Sequence, residues 1–335
     1  LKKIISDLKD EKISSSKVGQ DWGLAIESFL NHCRAKNLRP RTIEWYQEHI
    51  ELYFYRDFVV NAKIESPDDF NTEDLQRYIV YMHNRKLQIS SANIRLRAIR
   101  TFFNYLKDMG YIEGKVKVKL LKQDKTIIKT FTAEQVAKLV AKPKNINELS
   151  FAQYRDYVMI NFLLGTGVRL ATFRAIKIED IDFINNEIRL NHTKNREQYI
   201  IPLSLSLGKI LQEYLKIRGG EPQDSLFCNS YGEPLKKRTI QDRIKFYCQE
   251  RLGKEALSYR CSPHDFRHTF AVMFVRNGGD LLTLQKLLGH NTLEMTRRYV
   301  NLLNDDIKSK FAEFSPLDSV ISFKQTGRKA IRVKK

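Results

Sequence analysis

The chain has 335 residues, with 58 lysines and arginines against 39 aspartates and glutamates, a formal net charge of +19. Hydrophobic residues make up 42% and charged residues 29%, a composition that excludes a disordered chain and provides for two cores. No apolar run approaches the ~20 residues needed to span a bilayer, so the polyanion such a charge calls for is nucleic acid before a membrane surface. The opening LKKIISDLKDEK breaks its apolar positions with charge and is no signal peptide, so a cytoplasmic protein is expected. Leu1 is not a natural start, and a preceding segment is expected. Cys33, Cys228, Cys248 and Cys261 form no CxxC pair and no metal-ligand spacing, which fits reduced thiols.

After an N-terminal segment, 1–19, helical periodicity dominates residues 20–112. Trp22 to Lys36 puts Leu24, Ile26, Phe29, Leu30 and Cys33 on one side. A second helix follows Arg39-Pro40-Arg41-Thr42, with Thr42 as the expected cap and Ile43, Tyr46 and Ile50 at helical spacing. A third runs from Thr72 through Leu75, Tyr78, Ile79 and Met82, capped by Asn71 or Thr72. A fourth opens at Ser90-Ser91 and ends at Met109-Gly110. It carries Ile94, Ala98, Ile99, Phe102, Phe103 and Leu106 inward and shows Arg95, Arg97, Arg100 and Lys107 outward. Residues 113–130 are lysine-rich and lack an apolar stripe, a linker that either lies against phosphates or is a solvated tether.

A second domain is expected over 131–318. Thr132 and Gln135 have capping-box spacing, and a helix from Tyr154 to Leu164 reaches the turn GTGVR. Three short β runs follow, at Ile181–Phe183, Glu187–Leu190 and Tyr199–Leu203, with Asn185-Asn186 turning between the first two. Helices resume at Ser206. Within the tail, 319–335, the stretch KQTGRKAIRVKK has six basic residues and no acid, and reads as a solvated tail that touches DNA at most.

The chemistry concentrates in Ser262–Tyr299, with His264 three residues before Arg267, then Leu288-Gly289-His290, then Tyr299. Cleaving a phosphodiester without a metal needs a nucleophile, positive charge on the non-bridging oxygens and an acid for the leaving oxygen. Arg267 supplies a planar, permanently charged clamp, and His264 lies on the same helical face. Arg169, in GTGVR, supplies a second clamp. Lys194, in NHTKNREQ between two β runs, is placed to protonate the leaving oxygen. Tyr299 is the nucleophile, its developing charge stabilised by the arginines and His290. His268 reads as a packing or hydrogen-bonding residue, and Tyr247 and Tyr259 as core or groove aromatics. Arg39, Arg41, Arg95, Arg100, Lys236, Arg238 and Arg243 are candidates for phosphate contacts, each with a solvated surface charge as the alternative.

The set Arg169, Lys194, His264-x-x-Arg267, Leu288-Gly289-His290 and Tyr299 resembles that of the tyrosine recombinases, the phage-integrase and Xer family. HDFRHTF, LLGH and the downstream tyrosine carry the resemblance; GTGVR or HxxR alone would not. The resemblance implies a mainly α fold: a four-helix, SAM-like core-binding domain, then a mostly helical catalytic domain with a small three-stranded antiparallel sheet. It implies attack by Tyr299 on the scissile phosphate, a 3′-phosphotyrosine link and a released 5′-hydroxyl, with no ATP, metal or other cofactor. It further implies double-stranded DNA core sites as partner and a homo-tetramer on two duplexes acting through a Holliday junction. A C-terminal helix, spaced by Leu302, Ile307, Phe311 and Phe314, would be exchanged between protomers, and a directionality factor is a further possible partner. No arm-binding domain is legible before residue 20. Thr172 departs from the family pattern, standing where an acid usually follows the GTGVR arginine by three residues.

The role expected within the family is the integrase or transposase of a bacterial mobile element, with a Xer-like recombinase resolving chromosome dimers as the alternative. A DNA-binding protein with a decayed site and a type IB topoisomerase are the rivals outside it.

Overall fold

The computed structural model describes residues 21–113, 116–123, 128–145, 148–190, 199–297 and 299. The chain divides into two compact units, Leu1–Thr126 and Ile127–Lys335.

The first unit is built from four helical segments among its described residues. Helix α1 (Trp22–Ala35) starts at Asp21, whose side chain accepts from the Leu24 N–H. Helix α2 begins at Pro40–Gln47, three residues earlier than a Thr42 cap would give. Arg39 is its N-cap, and Pro40 takes the first turn, where its missing N–H costs nothing. The segment continues through a π-helical run, Glu48–Val59, and a last turn, Val60–Ala62. The wider i, i+5 winding shows in the side chains: Tyr53 donates to Glu48 at 2.7 Å, and Arg56 pairs with Glu51. Helix α3 (Thr72–Asn84) opens on a capping box between Asn71 and Asp74. Helix α4 (Ile89–Asp108) starts a residue before the two serines, with Gln88 as cap.

One aromatic-rich core fills this unit. Trp22, Phe54, Phe70 and Phe103 meet edge-on or stacked at centroid distances of 4.9–6.4 Å. Two side chains fall elsewhere than the helical pattern assigns them. Ile94 is exposed rather than inward. Arg95 turns inward, its guanidinium 4.1 Å from the centre of the Tyr53 ring, because the neighbouring π-helical run presents an aromatic face there. The segment 116–121 is packed onto the first unit rather than a solvated tether. Asn93 clamps Leu121 with two hydrogen bonds, to its carbonyl at 3.0 Å and from its N–H at 2.8 Å, and Val118 is buried.

The second unit packs around α6 (Phe151–Thr166), apolar on nearly all sides and therefore central. It is preceded by α5 (Ala133–Val140), whose Thr132–Gln135 capping box forms as expected. After α6 come α7 (Leu170–Ala175) and the sheet of β1 (Ile181–Asp182), β2 (Glu187–Leu190) and β3 (Tyr199–Pro202), antiparallel in the order β1-β2-β3. Ile188 pairs with Ile201, and both are buried while Arg189 and Ile200 face out. Helices α8 (Leu205–Arg218), α9 (Lys237–Leu252), α10 (Pro263–Arg276), α11 (Leu281–Leu288) and α12 (Leu293–Arg297) complete it. Tyr247 donates to the Leu139 carbonyl and Tyr259 to Gln135, so both expected core aromatics tie α5 down. The four cysteines are free and buried.

Arg243 sits in a charge cluster. Asp156, 2% exposed, accepts from Arg155 through one oxygen at 2.8 Å and from Arg243 through the other at 2.6 Å. Arg155 also donates to the Cys228 carbonyl. Removing the carboxylate would leave a buried guanidinium without its counter-ion. Asp156→Ala is expected to lower unfolding stability by about 3–5 kcal/mol, measured by urea denaturation. A loss below about 1 kcal/mol would mean the cluster holds nothing together.

Candidate active site

Arg267 lies on α10 and is 4% exposed. Its Nη1 donates to the Gly167 carbonyl at 2.8 Å. Its Nη2 donates to the Leu288 carbonyl at 2.8 Å and to Nε2 of His290 at 2.8 Å. A guanidinium only donates, so His290 Nε2 is the acceptor and Nδ1 carries the proton in the neutral ring. Nδ1 accordingly donates to Thr296 Oγ1 at 2.8 Å. Two carbonyls and an imidazole are neutral acceptors, which orient the guanidinium and leave its formal charge in place.

Arg169 reaches the same corner from the other side. It is the N-cap of α7, and its Nη1 donates to the Gly289 carbonyl at 3.0 Å. The two arginines are therefore fastened to consecutive carbonyls at the end of α11. Gly289 makes this possible: it ends α11 at φ 57°, and a Cβ there would lie 3.1 Å from the Tyr199 ring. Burial pushes the Tyr199 phenol above its ordinary pKa, and nearby Arg267 and Arg169 pull it back. Gly167 does the same for α6, ending it at φ 60° with Phe270 2.5 Å from where a Cβ would be.

Tyr299 is fully buried among Ala271, Val272, Val275, Leu284 and Leu288. Its backbone N–H donates to the Thr296 carbonyl at 3.0 Å, and its ring lies 6.5 Å from that of His290 at an interplanar angle of 8°. Its hydroxyl is 2.9 Å from His268 Nδ1. His264, on the exposed side of α10, has its ring 5.9 Å from that of His268.

Arg169, Arg267, His290 and Tyr299 thus come together as one cluster, with His264 at its rim. Lys194 lies outside the described residues, as does the segment after Tyr299 expected to form the exchanged helix. Thr172 is buried on α7, one turn after Arg169. Two participants were not legible as such. Thr296 bridges His290 to the backbone of Tyr299, and the only hint in sequence is its position three residues before the tyrosine. His268 was legible as a hydrogen-bonding residue but not as the partner of Tyr299; its i+4 relation to His264 was the available signal. Among the described residues, no cluster of three or more His, Cys, Asp or Glu is arranged to hold a metal ion.

Of the expected phosphate contacts, Arg39, Arg41, Arg100, Lys236 and Arg238 are exposed. Arg41 and Arg238 pair with Glu44 and Asp242 at 3.0 Å, contacts weak enough at such exposure to yield to a phosphate. Arg100 opens on a cavity of about 920 Å³ in the first unit, shared with Lys107, Lys117 and Lys119. Arg95 and Arg243 are engaged inside their own units.

Residues 129–305 match the phage integrase family, and residues 26–113 match the N-terminal SAM-like domain of phage integrases. The chain belongs to this family and is a tyrosine-type site-specific recombinase. It is 28% identical over 307 residues to the tyrosine recombinase XerC of Roseiflexus castenholzii, covering 89% of this chain and 95% of that one. It is likewise 28% identical over 303 residues to the tyrosine recombinase XerD of Staphylococcus saprophyticus, covering 87% and 98%. Its fold matches the Tn1549 transposon integrase in complex with transposon right end DNA, with a TM-score of 0.66, 19% identity and coverage of 87% and 99%. It also matches XerH bound to a palindromic difH substrate, with a TM-score of 0.66, 19% identity and coverage of 88% and 85%. Among the described residues, no helix is long and apolar enough to cross a membrane.

Two substitutions probe the corner. Gly167→Ala adds a left-handed strain and a clash with Phe270, and is expected to cost about 1–3 kcal/mol of stability in urea unfolding. An unfolding midpoint equal to wild type would show that the turn is slack. Thr296→Val keeps volume but strands the His290 Nδ1 proton, which should raise the barrier to single-turnover DNA cleavage by about 1–3 kcal/mol with DNA affinity unchanged. Equal cleavage rates would remove Thr296 from the site.

Proposed function

We propose that this chain is a Xer-type recombinase that cuts and rejoins duplex DNA through a 3′-phosphotyrosine on Tyr299. The observation that carries the chemistry is the joint anchoring of Arg169 and Arg267 on the carbonyls of Gly289 and Leu288, with Tyr299 packed into the same corner. Two guanidiniums held by neutral acceptors can receive the non-bridging oxygens of one phosphate and stabilise the charge that grows in the transition state. His264 and His290 flank them as further donors. The Tyr299 Oη forms the bond to phosphorus, the bond to the 5′ oxygen breaks, and Lys194 supplies the proton to that oxygen. Attack by the 5′-hydroxyl of a partner duplex reverses the step on the exchanged strand. One phosphoester is made for each one broken, so the reaction needs no external energy source.

Arg39, Arg41, Arg100, Lys236 and Arg238 are the phosphate contacts this reading retains. A tetramer on two duplexes, with the segment after Tyr299 passed to a neighbour, completes it. The XerC and XerD relatives favour a Xer-like role over the mobile-element role suggested by the motifs. This chain spans 95% and 98% of their lengths. The likeness to a transposon integrase is no greater than that to XerH, 0.66 in each case, and favours neither role.

A duplex selected by the protein from a random pool, nicked near its centre, provides the test. Wild type is expected to form a covalent adduct visible on denaturing gels, and Tyr299→Phe to bind equally and form none. An adduct surviving in Tyr299→Phe would sink the assignment. Two identical copies of that site in direct repeat on one plasmid should recombine under the Xer-like reading. Recombination confined to pairs of dissimilar sites would restore the mobile-element role.

A further inference from the structure

His268 directly follows Arg267 and lies one helical turn beyond His264, on the flank of α10 that meets Tyr299. Its Nδ1 is 2.9 Å from the Tyr299 Oη, with the two rings tilted by 54°. The other imidazole near the phenol is committed elsewhere. His290 accepts from Arg267 through Nε2 and engages Thr296 through Nδ1, and meets the phenol ring face to face at 6.5 Å. Apolar side chains surround the rest of the Tyr299 ring. A neutral imidazole within hydrogen-bond reach of a hydroxyl is the usual acceptor for a proton lost during attack.

We propose that His268 is the proton acceptor for Tyr299, a catalytic role additional to the arginine, lysine and histidine set. The inference rests on the reading of Tyr299 as the nucleophile. As the Oη–phosphorus bond forms, the phenolic proton passes to Nδ1 and His268 becomes imidazolium. The bond from phosphorus to the 5′ oxygen breaks, its electron pair stays on that oxygen, and the oxygen takes its proton from Lys194. In rejoining, the 5′-hydroxyl returns its proton to Lys194 and attacks phosphorus. The Oη–phosphorus bond breaks, and imidazolium hands its proton back to the phenolate. The assignment requires His268 to carry its resting proton on Nε2.

The test uses the full chain and the selected nicked duplex. His268→Asn keeps an acceptor oxygen near the place of Nδ1 but is no base, and His268→Gln, measured in parallel, guards against loss of fold in either variant. Duplex binding is expected to be unchanged and adduct formation to slow about a hundredfold. Replacing Tyr299 by difluorotyrosine, a more acidic phenol, should recover most of that loss in the His268 variant and change the wild type little. Sulfur at the 5′ bridging position, which relieves the leaving-group side, should leave the deficit in place. Cleavage within about threefold of wild type, a variant faster than wild type, or rescue by sulfur would each overturn the proposal. The nucleophile reading fails separately, through a wild type that forms no adduct or a Tyr299→Phe that does, and the inference falls with it.

Discussion

The corner of the second unit that gathers the motif residues depends on one buried cation. Placing the Arg267 guanidinium at 4% exposure costs several kcal/mol in desolvation unless its donors are met. They are met by the carbonyl ending α6, the carbonyl ending α11 and the ring of His290. One side chain thereby ties together the turn GTGVR, the helix around Arg267 and the motif LLGH. Arg169 then adds its own bond to the next carbonyl along. The hydrogen bonds that orient the two guanidiniums are consequently the same ones that join these elements.

That arrangement explains the glycines. A carbonyl at a helix C-terminus points along the axis and accepts from outside only if the chain turns away at once. Gly167 and Gly289 turn it with left-handed dihedrals, and each lies against an aromatic ring, Phe270 leaving no space for a Cβ at Gly167 and Tyr199 packing tightly on Gly289. Tyr299 is held with equal economy. Thr296 takes the Tyr299 N–H and the His290 ring, while the phenol packs on α10 and α11 with its hydroxyl against His268.

Much of this was legible in the chain. The capping box at Thr132, the cap at Asn71, the three short strands and the turn at Asn185-Asn186 follow from local hydrogen-bond rules, which need no distant partner. The partners that Arg95 and Arg243 take were not legible. A long cationic side chain starts on the face its helix assigns but ends wherever a ring or carboxylate lies within reach. For these two the partners are Tyr53, 42 residues away, and Asp156, 87 residues away. The stretch 116–121 was equally opaque, since its attachment is the side-chain amide of Asn93 on a different element.

The amino-acid sequence by itself determined most of the helices and strands and the basic character, and singled out the motif residues, because those follow from periodicity, charge and motif spacing. Only the tertiary structure decided which nitrogen meets which oxygen. Arg169, Arg267, His290 and Tyr299 are separated by up to 130 positions, and no local rule states their distances. The contact of His268 with Tyr299 exists because α10 and the turn carrying the tyrosine pack through Ala271, Val272 and Leu288. A helical pattern assigns a residue to a face; packing alone assigns it a partner.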